Sequence, residues 1–142
     1  MMARGLILFI CFCVIVACQM PAKYATRGPK NFKIEYRYED SPQQRRILLY
    51  FRNTTKHPVC FGPENWPENG ILLNPGGEVS LEVAGQRYFL GPENDFCPRC
   101  NKKVSPGEEI QDFFDYKSFD LKQEVEHSEK KLFFEATGYS CL

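Results

Sequence analysis

The chain opens on an unbroken apolar run, Leu6 to Ala17, and then changes character. Twelve residues are too few to span a bilayer as a helix, which needs roughly 20. One cation, Arg4, precedes the run and a small residue closes it, the layout of a secretory signal that is cut away. Residues 19–30 follow no period of 2 or 3.6 and hold Pro21, Gly28 and Pro29, which predicts an extended tether. From residue 32 onward the pattern is that of strands. Phe32, Ile34, Tyr36 and Tyr38 alternate with Lys33, Glu35 and Arg37, as in one half-buried strand. Ile47 to Phe51 is continuously apolar, as in a central strand covered on both faces. Val59-Cys60-Phe61, Gly70-Ile71-Leu72-Leu73, Val79/Leu81/Val83, Tyr88-Phe89-Leu90, Ile110–Phe114 and Leu132–Tyr139 supply further strands, with a loop expected from Gly91 to Gly107.

Turn chemistry separates these runs. Asn74-Pro75-Gly76-Gly77 and Ser105-Pro106-Gly107-Glu108 fit type II turns, with proline presetting φ and glycine accepting a positive one. Gly62-Pro63-Glu64-Asn65 recurs as Gly91-Pro92-Glu93-Asn94, which predicts similar turns at one end of the fold, with Trp66 and Phe96 near their tips. Leu121 to Leu132 contains good helix formers but too few apolar positions to pack, so a polar loop or one helical turn is expected there. Many short strands at even spacing predict an all-β domain over residues 32–142, an antiparallel β-sandwich of about seven to nine strands. Pro-Gly-Glu before a strand is similar to turns of immunoglobulin-like bacterial domains, which makes that version of the sandwich the expected one.

The end of the apolar run carries a second resemblance. Ile15-Val16-Ala17-Cys18 resembles the lipobox of bacterial lipoproteins. In that family the cysteine thiol receives a diacylglycerol and the peptide bond before it is cut. The resemblance implies a signal peptide over residues 1–17, Cys18 as the lipidated residue, and residues 18–31 as anchor and tether. Several acyl chains hold a protein far more firmly than one, each buried methylene contributing about 0.8 kcal/mol. In enteric members an aspartate after the cysteine favours the inner membrane, so Gln19 implies an outer-membrane protein facing the periplasm. Ordinary cleavage after Ala17 with free secretion is the competing outcome.

Export changes the reading of sulfur. Cys60, Cys97, Cys100 and Cys141 remain beyond Cys18, an even number suited to two disulfides. The preferred pairing joins Cys60 to Cys97 or Cys100 and the other of that pair to Cys141. The alternative joins Cys97 to Cys100 and Cys60 to Cys141. His57-x-x-Cys60 with Cys97-x-x-Cys100 also has zinc-ribbon spacing, but thiolates in an oxidising compartment pair with one another first. Cys97-Pro98-Arg99-Cys100 has the spacing of a thioredoxin-type pair, yet Asn101-Lys102-Lys103 is not the helix start that would lower a thiol pKa.

Composition removes other classes. Eighteen basic and eighteen acidic side chains balance in the whole chain, and Arg4 is the only charge in residues 1–17, so the processed chain carries −1. That argues against a nucleic-acid surface. No Gly-x-Ser-x-Gly, phosphate-cradling glycine loop or His-Glu-x-x-His occurs. No cofactor is called for, and the chain reads as no enzyme. The expectation is a lipid-anchored, non-catalytic protein-binding module with inhibitory, immunity or assembly duties. A zinc or redox protein using His57, Cys60, Cys97 and Cys100, and a purely structural envelope lipoprotein, are the alternatives. Trp66 either caps the core or, with Phe96, anchors an interface, since tryptophan is enriched at binding hot spots.

Overall fold

The computed structural model of the chain describes residues 30–73, 78–92 and 101–141. Ten strands form among them: β1 (Asn31–Lys33), β2 (Arg37–Ser41), β3 (Arg46–Arg52), β4 (Val59–Phe61), β5 (Ser80–Val83), β6 (Gln86–Phe89), β7 (Lys102–Val104), β8 (Glu109–Asp115), β9 (Lys130–Phe133) and β10 (Thr137–Ser140). They make three sheets, β1-β10-β4-β7, β2-β3-β8 and β6-β5-β9, and every pairing is antiparallel. The protein is an all-β, disulfide-linked antiparallel sandwich.

The strand number exceeds the expected seven to nine because two runs read as single strands change sheet midway and because Lys102–Val104 forms β7 within the stretch from Gly91 to Gly107 expected to be a loop. β1 and β2 belong to different sheets and are joined through residues 34–36; β9 and β10 are joined through residues 134–136. The two crossing points bond to each other. The Ile34 amide donates to the Ala136 carbonyl at 3.1 Å, and the Tyr36 hydroxyl donates to the Phe134 carbonyl at 2.7 Å. Backbone groups that leave one ladder are thereby satisfied before they enter the next. Residues 70–73 also differ from expectation. They form one isolated bridge, Glu68 with Ile71, closed by Asn69-Gly70 with φ of 52° and 84°. Positive φ at both central residues is the hairpin turn that Asn-Gly favours.

One core joins all three sheets. Ile47, Leu49 and Phe51 of β3 meet Val59 and Phe61 of β4, Leu81 and Val83 of β5, and Leu132 of β9. Trp66 lies in its midst, 2% exposed, with ring centroids of Phe61, Tyr36, Phe51 and Phe134 at 5.4, 6.1, 6.2 and 6.4 Å. Each fully buried ring stabilises by about 1.5–3 kcal/mol through its area alone. Asn53 closes the chain break after β3. Its amide donates to the carbonyls of His57 and Val104, both at 2.9 Å, and its oxygen accepts from the amide and hydroxyl of Thr55. The predicted Ser105–Glu108 turn is present, with Gly107 at φ 80° and the Glu108 amide donating to the Ser105 carbonyl. Gln123–Val125 is a single 3-10 turn, as expected of a loop too polar to pack as a helix; Tyr116–Phe119 is a second such turn, which buries Tyr116 and Phe119 in the core.

Candidate functional site

The cysteines correct the preferred pairing. Cys60 is bonded to Cys141, with Cα atoms 5.7 Å apart. The register explains the choice: Tyr139 stands opposite Cys60, so Cys141 emerges on the same face two residues on. The bond staples the last strand to β4. A sulfur held in a disulfide offers no thiolate, so Cys60 does not complete a zinc set with His57, which lies exposed in its turn. Cys18, Phe96, Cys97 and Cys100 lie outside the described residues, as do Asn74–Gly77 and the Glu93-Asn94 end of the second repeat. For Trp66 the structure decides between the two readings. It follows a turn, as expected, and the turn folds inward and buries the ring in the aromatic core, which is the core-capping reading and leaves no ring for an interface.

Sequence reasoning missed the charges that face inward. Asp40 and Asp112 both project from the β2-β3-β8 sheet towards the other two. Lys102 of β7 reaches Asp112 at 3.2 Å, and that carboxylate also accepts from the amides of Gly70 and Phe113. Burial pushes the Asp112 carboxyl above the ordinary aspartate range, while Lys102 and the amide donors pull against it. Lys130 of β9 is wholly enclosed. Its ammonium meets Asp40 at 3.0 Å and the Ser128 carbonyl at 2.9 Å, donates to the Glu126 carbonyl, and stands 4.7 Å from the Tyr116 ring centre. Tyr116 donates to Asp40, and burial followed by that bond pushes its hydroxyl pKa upward. Glu126 is held by Arg45 at 2.5 Å. The Lys102–Asp112 and Lys130–Asp40 pairs join strands of different sheets, with Lys130 wholly and Asp112 almost wholly enclosed, while Arg45 reaches Glu126 from the surface. Among the described residues no three His, Cys, Asp or Glu side chains gather as metal ligands.

The outer face of β6-β5-β9 is different. Strand alternation sends Leu81, Val83, Lys130 and Leu132 inward. It leaves Phe89, Ser80 and Phe133 as one cross-strand row outside and Arg87, Glu82 and Lys131 as the next. Phe89 is 52% exposed, a large value for a phenylalanine on a regular strand. Arg87 stacks over the Phe133 ring at 4.2 Å, and Lys131 stands 5.0 Å from the same ring centre. Ser80 between the rings is fully enclosed and its hydroxyl has no hydrogen-bond partner. Beyond the hairpin turn a shallow pocket of ≈ 360 Å³ is lined by Glu82, Ala84, Gly85, Ser128, Glu129 and Lys131. This face thus joins one exposed ring, Phe89, to a half-buried one, Phe133, with Arg87 and Lys131 against the latter and a shallow recess beyond. The sequence signal for it was Tyr88-Phe89-Leu90, whose middle ring falls on the outward parity of the strand. Compared with protein-family models, curated proteins and solved structures, the chain matches none.

Proposed function

We propose that the chain is an exported bacterial lipoprotein, lipid-anchored through Cys18 on the outer membrane and facing the periplasm, which acts as a non-catalytic module binding another envelope protein. The observation that carries the reading is the Cys60–Cys141 bond. Disulfides of this structural kind persist in oxidising compartments and are rare in the cytosol. The leader, residues 1–17, supplies the route to such a compartment. The ion pairs around Lys130 and Asp112 support a non-catalytic reading, because enclosed and mutually satisfied groups cannot reach a substrate. The outer face of β6-β5-β9 supplies the binding surface, with Phe89 as its most exposed ring.

The binding part is tested by photo-cross-linking from the β6-β5-β9 face in intact cells. A cross-linker at Glu82 should capture one discrete envelope protein. Phe89→Ser should reduce that capture about tenfold, the loss expected for one aromatic contact of hot-spot size. Absence of a discrete product, or capture indifferent to Phe89, contradicts it.

A further inference from the structure

The β1-β10-β4-β7 sheet ends at β1, and that edge bears on assembly, independently of what the β6-β5-β9 face binds. The Ile34 amide donates to the Ala136 carbonyl, and the same register sets Phe32 opposite Gly138. Antiparallel pairs alternate between hydrogen-bonded and non-hydrogen-bonded. Phe32 and Ile34 therefore turn their backbone groups towards β10, while Asn31 and Lys33 turn theirs outward. Among the described residues no hydrogen bond reaches β1 from that outward side. The side chains agree. All three residues of β1 are exposed, and Phe32 keeps 38% of its surface open. No aromatic ring or cation stacks on Phe32 among the described residues. Native edges are usually blunted by proline, lysine, a bulge or a covering loop. The one cation of β1, Lys33, is paired with Glu135 of its own chain at 3.2 Å.

We propose that β1 pairs antiparallel with β1 of a second copy about a two-fold axis at Phe32, fusing two sheets into β7-β4-β10-β1-β1-β10-β4-β7. The strand is complementary to itself in that register and not in its neighbours. Centring the axis on Asn31 sets Lys33 against Pro29, which has no N–H to give. Centring it on Lys33 sets two lysines opposite each other, a like-charge juxtaposition that opposes pairing. Centring it on Phe32 sets Asn31 opposite Lys33 of the second copy, twice by symmetry. Each of those pairs exchanges two backbone bonds, between groups that β10 does not use. The two Phe32 rings then meet at the axis as a non-hydrogen-bonded pair, the closer kind, on one face of the fused sheet. Neither ring gives up a partner to do so, and Lys33 keeps Glu135, because only its backbone is engaged. The interface is isologous and closes at two copies.

Sedimentation equilibrium on the purified protein in mild detergent tests this directly. The average mass should rise with concentration towards twice that of one chain. Phe32→Lys sets two cations together at the axis and should weaken association about tenfold, the loss of one aromatic pair. Phe32→Glu should do the same. An equimolar mixture of those two variants should associate again, because the axis residue meets its own counterpart and lysine then faces glutamate. Asn31→Pro should also weaken association, since the N–H it removes points away from β10 and serves only the second copy. Retention of the Cys60–Cys141 bond in each variant reports an intact fold. A mass that stays monomeric, association unmoved by Phe32→Lys or Asn31→Pro, or a mixture no stronger than its components overturns the proposal.

Discussion

At the scale of single residues, Tyr36 joins fold and chemistry most closely. It stands where β1 leaves one sheet and β2 enters another, packs edge-on against Trp66, and donates to the Phe134 carbonyl. Burial, with a smaller push from Tyr38, raises its pKa from 10.0 to about 12. The folded state thus holds this proton more tightly than the unfolded chain does. The stability it contributes is complete below pH 10 and is lost as pH rises through about 12. Urea unfolding between pH 8 and 12 should show a steeper alkaline loss for the wild type than for Tyr36→Phe; parallel curves would contradict this assignment. Trp66 teaches a related point. Its neighbours Asn65 and Pro67 read as a surface loop, and the turn is indeed there. What the local sequence could not reveal is that Tyr36, Phe51 and Phe134 come in from other segments to join Phe61 around the ring.

At the scale of elements, periodicity exposed a strand wherever one of its faces is dry, as in the alternation through Leu81 and Val83. Ile47 to Phe51 was legible as a continuous apolar run; Ile47, Leu49 and Phe51 face the core, but the outer face is covered only in part, with Leu48 buried and Tyr50 half-buried. Sheet membership was not legible, since the chain remains extended across residues 34–36 and 134–136 while its pairing partners change. Asn69-Gly70 was a turn signal in plain view, overlooked because Ile71-Leu72-Leu73 looked like a strand. The inward charges escaped for a different reason. Asp40 and Asp112 occupy positions that alternation reserves for apolar residues, and only their partners on other sheets, Lys130 and Lys102, make them tolerable. Lys130→Met should therefore cost about 3–5 kcal/mol by leaving Asp40 without its counter-charge. Replacing Asp40 as well, by Asn, should cost less than the two single changes together, as chemical denaturation of all three variants will show. Strict additivity would mean that the pair is not coupled.

At the scale of the whole molecule, the disulfide and the leader make one argument. Cys60 and Cys141 are separated by 81 positions, and closing so long a loop removes about 4.5 kcal/mol of unfolded-chain freedom. Cys141→Ser should lower the melting temperature by roughly 15–20 °C for a domain of this size, and a reductant should do the same to the wild type. A negligible shift in both would show that the last strand holds without its staple. The even cysteine count pointed to bridges, but no spacing rule could say that β4 and β10 are neighbours, so the partner of Cys60 became clear only with the sheet order. The surface rings of Phe89 and Phe133 were likewise visible as apolar residues, without any sign of which face they would occupy. The central proposal is that this chain is exported, lipidated at Cys18 and oxidised. Intact mass spectrometry of the protein recovered from the cell envelope tests it most directly. The account predicts a chain beginning at Cys18, heavier by its acyl groups, with Cys60 and Cys141 protected from alkylation until reduced. A chain beginning at Met1 or Met2, unacylated and with both thiols free, would contradict it.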